Sequence, residues 1–211
     1  HAAKHAVAFD KPVVGINSGR LGYLAAIERS ELSLLENLLE GQYTIERRMM
    51  LTAKISGSIN QEYNALNDVV IASGNIAKVV ELSVKSDGRS VMSFSGDGVI
   101  FATPTGSTAY AYSAGGPVID PVIECISVTP ICPHTIASCT IIFSAEYRLQ
   151  TQARSAGGNV FLTVDGEEGI PLQPTDQVEI LKSGCQARII KIKDEKFNDV
   201  LSRKIKNNEG R

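Results

Sequence analysis

The sequence predicts an α/β segment over residues 1–42, followed by a β-rich domain of the sandwich type over residues 43–190. Leucines recur at helical spacing within residues 30–41, which indicates an amphipathic helix. Beyond that point, β-branched runs alternate with Gly, Asn and Asp, the residues that bound strands. The Asp-Gly pair at 87–88 lies between two such runs and indicates a hairpin, and Asp165-Gly166 marks another turn. Many short strands with regular turns favour a sandwich.

The α/β segment is predicted to contain helix, strand, loop and helix, in that order. Residues 1–9 have the pattern of a helix end, and residues 13–16 form a short apolar strand. A helix over residues 31–40 begins after Ser30, a favourable N-cap, and ends at Gly41, which suits the position just past a helix. The leucines at 32, 35 and 39 give this helix an apolar stripe.

The β-rich part is predicted to hold many strands and one long interruption. The interruption, residues 104–138, contains five of the eight prolines and no long element, and its apolar content predicts an ordered, functional segment. A helix is expected over residues 196–206, in a tail of residues 191–211 that packs back on the α/β segment. The strands are expected near residues 43–55, 68–72, 78–85, 90–95, 98–103, 140–144, 159–164, 177–182 and 187–193.

Composition and charge place the chain among globular proteins. Of its 211 residues, 43% are hydrophobic and 21% are charged, and the net charge is −2, which excludes intrinsic disorder. A net charge of this sign argues against a nucleic-acid binder that works by a broad basic field. No apolar run approaches the roughly 18–20 residues of a membrane span, so no membrane partner is expected.

The cysteine pattern bears on metal binding and on compartment. None of the four cysteines belongs to a C-x-x-C pair, so no zinc site is predicted. His1 and His5 have the spacing of metal ligands on a helix, but no third ligand accompanies them. No secretory signal is recognised at the N-terminus, so we expect buried, reduced thiols in a cytoplasmic protein.

The most informative segment runs from Gly96 to Tyr110. An apolar strand enters a turn rich in Gly, Ser and Thr, and a helix can start near Thr108 and end before Gly115. Backbone N–H groups and hydroxyls then converge on one point, which suits an anion, a ribose or a base edge. A plain strand–turn–helix corner with Ser and Thr as caps would have the same sequence. The run is not a Walker A loop, because no Gly-Lys-Ser/Thr follows.

Two further segments carry polar residues beside apolar strands. Asn67 and Asp68 lie at the start of a strand, where an amide and a carboxylate could hold sugar hydroxyls. A turn that merely precedes the strand is the simpler explanation of this pair alone. Residues 15–24 form a glycine-rich loop after the first strand, in which Arg20 could meet a phosphate.

Taken together, these segments resemble the NAD kinase family, which phosphorylates the 2′-hydroxyl of the adenosine ribose of NAD to make NADP. The Thr-Pro-Thr-Gly-Ser-Thr-Ala-Tyr run is the most specific match. The resemblance implies a remnant of a Rossmann-like α/β domain, a β-sandwich-type domain, and a C-terminal helix that returns to the first domain. The matching stretches, which follow the family's order, are residues 12–24, 64–70, 96–110, 113–117, 130–134 and 164–166.

The resemblance also implies roles for residues of this chain. Asn67 and Asp68 would hold the adenosine-ribose end of NAD, and Thr105 and Thr108 would contact the adenine. The residues implied at the nicotinamide end are Asp97, Ala109, Tyr110 and Ser113. Of these, Asp97 could come from a neighbouring subunit. Those implied near the cleft are Arg20, Tyr23, His134 and Asp165. The family forms homodimers or homotetramers and uses ATP, in some members polyphosphate, with Mg²⁺ or another divalent cation.

One motif of the family is absent from this sequence. The family carries Gly-Gly-Asp-Gly just before the helix that leads into Pro12, and its Asp is thought to activate the 2′-hydroxyl. The resemblance therefore implies that the catalytic Asp lies upstream of His1, and the Gly-Asp-Gly at 96–98 does not take its place. Phosphoryl transfer depends on positioning and charge stabilisation. We expect the complete protein to be a kinase and the 211-residue chain alone to be nearly inactive.

Two alternatives fit parts of the pattern. A lipid kinase of the diacylglycerol or sphingosine type shares the two-domain plan, but the Thr103–Tyr110 run and the Asn67-Asp68 pair fit a dinucleotide better. A non-catalytic dinucleotide-binding or oligomerisation module would also lack the Gly-Gly-Asp-Gly motif. Binding of NAD without turnover would favour this module.

Overall fold

The computed structural model describes residues 2–17, 27–75, 78–135, 139–155 and 158–202. It divides into two compact units. One unit consists of residues 1–48 and 186–211, and the other consists of residues 49–185. No helix in these described ranges is long and apolar enough to cross a membrane.

The first unit is built from short elements. Glu28 and Glu31 form a capping box at the start of a 3₁₀ helix, in which the Glu28 N–H donates to Glu31 Oε2 at 2.8 Å. Val13 forms an isolated parallel bridge with Ile189, and residues 197–202 are helical. The elements are α1 (Ala2–Ala8), β1 (Ile16–Asn17) parallel to β2 (Ile27–Glu28), the 3₁₀ helix Arg29–Leu35 and α2 (Glu36–Leu39).

Three predictions for this unit need correction or completion. The helix predicted over residues 31–40 is a 3₁₀ helix followed by one turn of α-helix, because Glu31 has non-helical backbone angles (φ −111°, ψ 23°). Leu39 is 91% exposed and Leu32 is 45% exposed, so among the described residues these two leucines add little packing to hold a longer helix. The predicted strand 13–16 is reduced to a bridge and a two-residue strand. Beyond residue 202, the predicted C-terminal helix lies outside the described residues.

Two antiparallel six-stranded sheets form most of the second unit. Their strands are β3 (Thr44–Ser56), β4 (Gln61–Ala65), β5 (Asp68–Ser73), β6 (Val80–Ser86), β7 (Arg89–Gly96), β8 (Gly98–Ala102), β9 (Cys125–Ile131), β10 (Ile141–Ser144), β11 (Leu149–Arg154), β12 (Val160–Val164), β13 (Ile170–Leu172) and β14 (Gln177–Lys191). The first residues of β3 and the last of β14 belong to the first unit. Sheet I has the order β10-β9-β8-β5-β12-β13, and sheet II has the order β4-β3-β14-β11-β6-β7. A 3₁₀ turn (Gly106–Thr108) and helix α3 (Tyr110–Ser113) follow β8.

A single apolar core lies between the two sheets. Fully buried side chains from both sheets share it, including Ile71 and Phe101 of sheet I and Leu82 and Ile180 of sheet II. The sheets therefore pack face to face, as in a sandwich. The strands β8 and β9 are buried throughout, because a second apolar cluster, which includes Ala111 of α3, covers another face of sheet I.

Most predicted strands coincide with observed ones, and both Asp-Gly turns are confirmed. Asp87 and Gly88 have φ values of 47° and 78°, and Asp165 and Gly166 have 51° and 71°. The pair at 87–88 is the two-residue turn between β6 and β7, and its left-handed conformations fit the I′ type. The pair at 165–166 begins the longer connection, residues 165–169, between β12 and β13. The two strands predicted at 177–182 and 187–193 are one strand, β14. The strands β4, β9, β11 and β13 were not predicted.

The predicted state of the cysteines is only half right. All four are free thiols, as expected, but only Cys125 is buried. The exposed thiols are Cys132, Cys139 and Cys185. Burial of small apolar thiols is a tendency of cores, and these three residues lie outside the apolar clusters.

Candidate functional site

Asp97 is the single residue that joins β7 of sheet II to β8 of sheet I. Its N–H donates to the Ile131 carbonyl at 2.9 Å, and its carbonyl accepts the Ser73 N–H at 2.9 Å. A Cβ on Gly96 would lie 2.8 Å from the Ile131 carbonyl oxygen, and one on Gly98 would lie 2.5 Å from a carbonyl oxygen of β5. The glycines on each side therefore allow neighbouring strands to approach, and they leave the exposed Asp97 side chain at a fixed corner.

The turn that leads into β5 is held by a distant carboxylate. Asp165 accepts backbone hydrogen bonds from Leu66 at 2.9 Å, Asn67 at 2.7 Å and Asp68 at 3.2 Å. In return, the Asp165 N–H donates to the Asp68 carbonyl at 3.0 Å. The Asp-Gly turn after β12 thus fixes the backbone on which the Asn67 and Asp68 side chains are mounted.

The Thr-Pro-Thr-Gly turn after β8 holds the same residues from another side. Thr103 Oγ1 donates to the Leu66 carbonyl at 2.6 Å, and the Thr103 N–H donates to the Asn67 carbonyl at 2.9 Å. Thr103 Oγ1 also accepts the Gly106 N–H at 3.0 Å. A Cβ on Gly106 would lie only 2.0 Å from the Asn67 carbonyl oxygen, so glycine is required where these two turns meet.

Ser107 ties the start of the 3₁₀ turn to the following loop. Its buried hydroxyl donates to the Pro104 carbonyl at 2.7 Å and accepts the Ile119 N–H at 3.0 Å. Ser107 is therefore structural, whereas the positions after it become accessible: Thr108 is half-buried, and Tyr110 is 46% exposed.

The electrostatics show that several of these groups lie close together. Asp68 is buried, and its pKa rises from 3.8 to about 6, first because burial disfavours its charge and then because Asp165 repels it. Burial also raises the pKa of Tyr110, with further contributions from Cys132, Asp97 and Asp68. A side-chain hydrogen bond to Asp97 is the largest effect that raises the pKa of the Cys132 thiol.

The structure gathers part of the predicted site and leaves part of it separate. Thr105 is buried, and His134, whose N–H donates to the Ser95 carbonyl at 2.8 Å, is exposed, as are Ala109 and Ser113. Arg20 and Tyr23 lie outside the described residues. The residues brought together by contacts or mutual electrostatic effects are Asn67, Asp68, Asp97, Tyr110 and Asp165.

Sequence reasoning did not single out Thr103, Gly106 or Cys132. Thr103 and Gly106 belonged to the matched run, but nothing in it showed which residues support and which face a ligand. Cys132 is a non-glycine residue with φ of 44°, and it stands between two prolines in the sequence. That neighbourhood was the available signal for a tight turn.

Within the described ranges, no group of three or more His, Cys, Asp or Glu residues could hold a metal ion.

The fold and these contacts define a β-sandwich in which a carboxylate and an amide on a fixed turn lie beside a Gly/Ser/Thr turn. A model of the ATP-NAD kinase C-terminal domain matches residues 66–192, a span that contains every described residue gathered at the site. The chain belongs to the NAD kinase family.

Curated relatives agree with this assignment. The chain is 39% identical to the NAD kinase of Natranaerobius thermophilus over 207 residues, which is 97% of this chain and 72% of that protein. It is 41% identical to the NAD kinase of Symbiobacterium thermophilum, with coverage of 97% and 73%.

Solved structures show the same fold. An NAD kinase from Archaeoglobus fulgidus in complex with ATP has a TM-score of 0.77 and 29% identity, with coverage of 92% of this chain and 74% of that one. Yeast NADH kinase complexed with NADH has a TM-score of 0.80 at 24% identity and supports the fold alone. That comparison covers 95% of this chain and 60% of the yeast enzyme.

Proposed function

We propose that the chain is the NAD-binding part of an NAD kinase, which transfers the γ-phosphoryl group of ATP to the 2′-hydroxyl of the adenosine ribose of NAD. The bond from the γ-phosphorus to the β–γ bridging oxygen breaks, and a bond to the 2′-oxygen forms. The hydroxyl proton passes to a general base, the role that the resemblance gives to an Asp outside this chain, and the products are NADP and ADP. The observation that carries the proposal is the Asn67-Asp68 turn, clamped beside the Thr103–Gly106 turn within the span matched by the family model.

Asn67 and Asp68 hold the ribose in this account. The Asn67 amide donates and accepts hydrogen bonds, and an ionised Asp68 accepts them from sugar hydroxyls. Because both side chains stand on a backbone fixed from two sides, they are directed before the nucleotide arrives. Positioning of this kind supplies a large part of catalysis in phosphoryl transfer.

The remaining roles follow the family resemblance. Thr105 and Thr108 contact the adenine, and His134 lies near the cleft. Arg20 and Tyr23 are assigned to the cleft by the resemblance alone. Asp97 reaches the nicotinamide end from a neighbouring subunit of a homodimer or homotetramer, and its exposure at a sheet-to-sheet corner leaves it accessible to such a partner. The other residues proposed at that end are Ala109, Tyr110 and Ser113.

The first unit is proposed to belong to a Rossmann-like α/β domain that binds ATP, with the catalytic Asp outside this chain. In this scheme residues 1–42 are part of that domain, residues 43–190 form the NAD-binding domain, and residues 191–211 pack back on the first. A divalent cation such as Mg²⁺ accompanies ATP and offsets the charge of its phosphates. The free thiols favour a reducing compartment such as the cytoplasm. The family match does not favour a lipid kinase.

An activity assay tests the proposal. The complete purified protein is incubated with NAD, ATP and magnesium, and NADP is measured through an NADP-specific dehydrogenase. We expect NADP formation that needs both substrates. Saturable NAD binding without any NADP would instead support the non-catalytic module.

A further inference from the structure

We propose that Asp165 is a positioning residue for NAD binding: its carboxylate fixes the Leu66–Asp68 backbone so that the Asn67 and Asp68 side chains face the ribose, and it is not itself a ligand of the nucleotide. The inference rests on the proposed function of that turn. It differs from the placement of Asp165 at the cleft that the resemblance implies.

The hydrogen-bond geometry carries the inference. Asp165 Oδ1 accepts the N–H groups of Asn67 and Asp68, and Oδ2 accepts that of Leu66. Three N–H donors occupy most of the roughly four acceptor positions of a carboxylate. Bonds to an ionised acceptor are about twice as strong as neutral ones. The carboxylate is thus engaged with the backbone of the turn.

Asp165 is itself held in place for this task. Its φ of 51° belongs to the Asp-Gly turn between β12 and β13, and its N–H returns a hydrogen bond to the Asp68 carbonyl. The side chain and the backbone N–H of Asp165 therefore both form hydrogen bonds to the Leu66–Asp68 turn. Thr103 and Gly106 hold that turn from the other direction, so removal of either support changes where Asn67 and Asp68 point.

Asp165 also acts on Asp68 through its charge. Among the described titratable groups, two interact electrostatically with Asp68. Asp165 raises the pKa of Asp68, and Asp68 in turn raises the pKa of Tyr110. Neutralising Asp165 removes the repulsion and lowers the pKa of Asp68. If an ionised Asp68 binds the ribose, the acid limb of NAD affinity then moves to lower pH. A merely structural role for Asp165 would not move this limb.

The experiment compares Asp165→Asn with Asp176→Asn in the complete protein. Asp176 is a matched control, because it also accepts backbone N–H groups, from Ser58 at 2.6 Å and Gln173 at 2.8 Å, but in a different pair of loops. Steady-state kinetics with NAD, ATP and magnesium are measured from pH 5 to pH 8. For Asp165→Asn we expect the KM for NAD to rise about tenfold, the equivalent of about 1.4 kcal/mol, with little change in kcat or in the KM for ATP.

The acid limb of 1/KM for NAD is expected to shift downward in Asp165→Asn alone. Asp176→Asn is expected to lower the melting temperature and leave the KM for NAD unchanged. If Asp165→Asn does not fold, Thr103→Val loosens the turn from the opposite side and is expected to raise the same KM.

Two outcomes overturn the inference: an unchanged KM for NAD with an unmoved acid limb, or a fall in kcat with the KM for NAD unchanged, which would place Asp165 in the chemistry. Failure of the proposed function itself is distinguishable, because the wild-type protein would then form no NADP.

Discussion

Asp165 Oδ1 lies 2.7 Å from the backbone nitrogen of Asn67, a residue 98 positions earlier in the chain. The two residues meet because β12 pairs with β5 in antiparallel register, with Val164 opposite Val69. The residue after β12 is therefore brought to the residues before β5. The sheet register thus brings two turns that are far apart in sequence together into one support for the side chains proposed to bind NAD.

Asp68→Asn is expected to stabilise the fold at neutral pH while weakening NAD binding. The native pKa of Asp68 is raised from 3.8 to about 6, so the folded state holds this proton more tightly than the unfolded chain. Stability therefore falls as pH rises between these values, and the deficit persists above pH 6. A shift of that size corresponds to about 3 kcal/mol.

Urea unfolding at pH 3.5 and pH 7.5 checks the sign of this effect. The variant should gain stability relative to wild type at pH 7.5 only. An equal difference at both pH values would show that the charge of Asp68 is not the cause. A stabilising change that costs binding is the usual trade-off at a functional site.

Gly106→Ala is expected to disrupt the site, whereas Gly184→Ala is not. A Cβ at 106 would lie 2.0 Å from the Asn67 carbonyl oxygen, whereas a Cβ at 184 meets nothing within 4 Å. Because a backbone atom cannot shift without disturbing its strand or turn, we expect Gly106→Ala to lower the free energy of unfolding by about 3 kcal/mol. Thermal unfolding and NAD titration of both variants give the measurement. Equal stability of the two variants would contradict the close packing of the turns.

Asp97→Asn is expected to accelerate alkylation of Cys132. The hydrogen bond to Asp97 and the Asp97 charge raise the pKa of this thiol, and the thiolate is the reactive form. Removing the charge lowers the pKa and increases the thiolate fraction at pH 7.5. Iodoacetamide labelling followed by peptide mass spectrometry gives the rate at each cysteine. Exposed Cys185 is the internal control, and an equal acceleration there would point to a global loosening instead.

The sequence predicted the sandwich better than it predicted the individual strands that complete it. Asp-Gly pairs and β-branched runs have local conformational preferences, so both Asp-Gly turns and most core strands could be predicted. The strand β4 is polar (Gln61–Ala65), and it forms because it pairs with β3. The strand β9 was not predicted because its segment is rich in prolines. It forms because it is buried and pairs with β8 and β10.

In the candidate site, too, the sequence predicted the local motifs better than the long-range contacts that support them. Asn67, Asp68 and the Thr-Pro-Thr-Gly run stand out as motifs, because their chemistry is local. The support from Asp165 and the requirement for glycine at 106 are long-range consequences of sheet register and packing. No local sequence pattern indicates either feature.

Calorimetric titration of NAD into the complete protein measures what the Asn67-Asp68 turn contributes to NAD affinity, with Asn67→Ala and Asn64→Ala as the compared variants. Asn64 is the control, because its Oδ1 accepts hydrogen bonds from the Thr52 hydroxyl at 2.7 Å and the Ser183 hydroxyl at 2.9 Å within sheet II. We expect one saturable NAD site in wild type and in Asn64→Ala, and affinity at least about tenfold weaker in Asn67→Ala. Equal NAD affinity in all three proteins would contradict the assignment of the Asn67-Asp68 turn as the NAD-binding site.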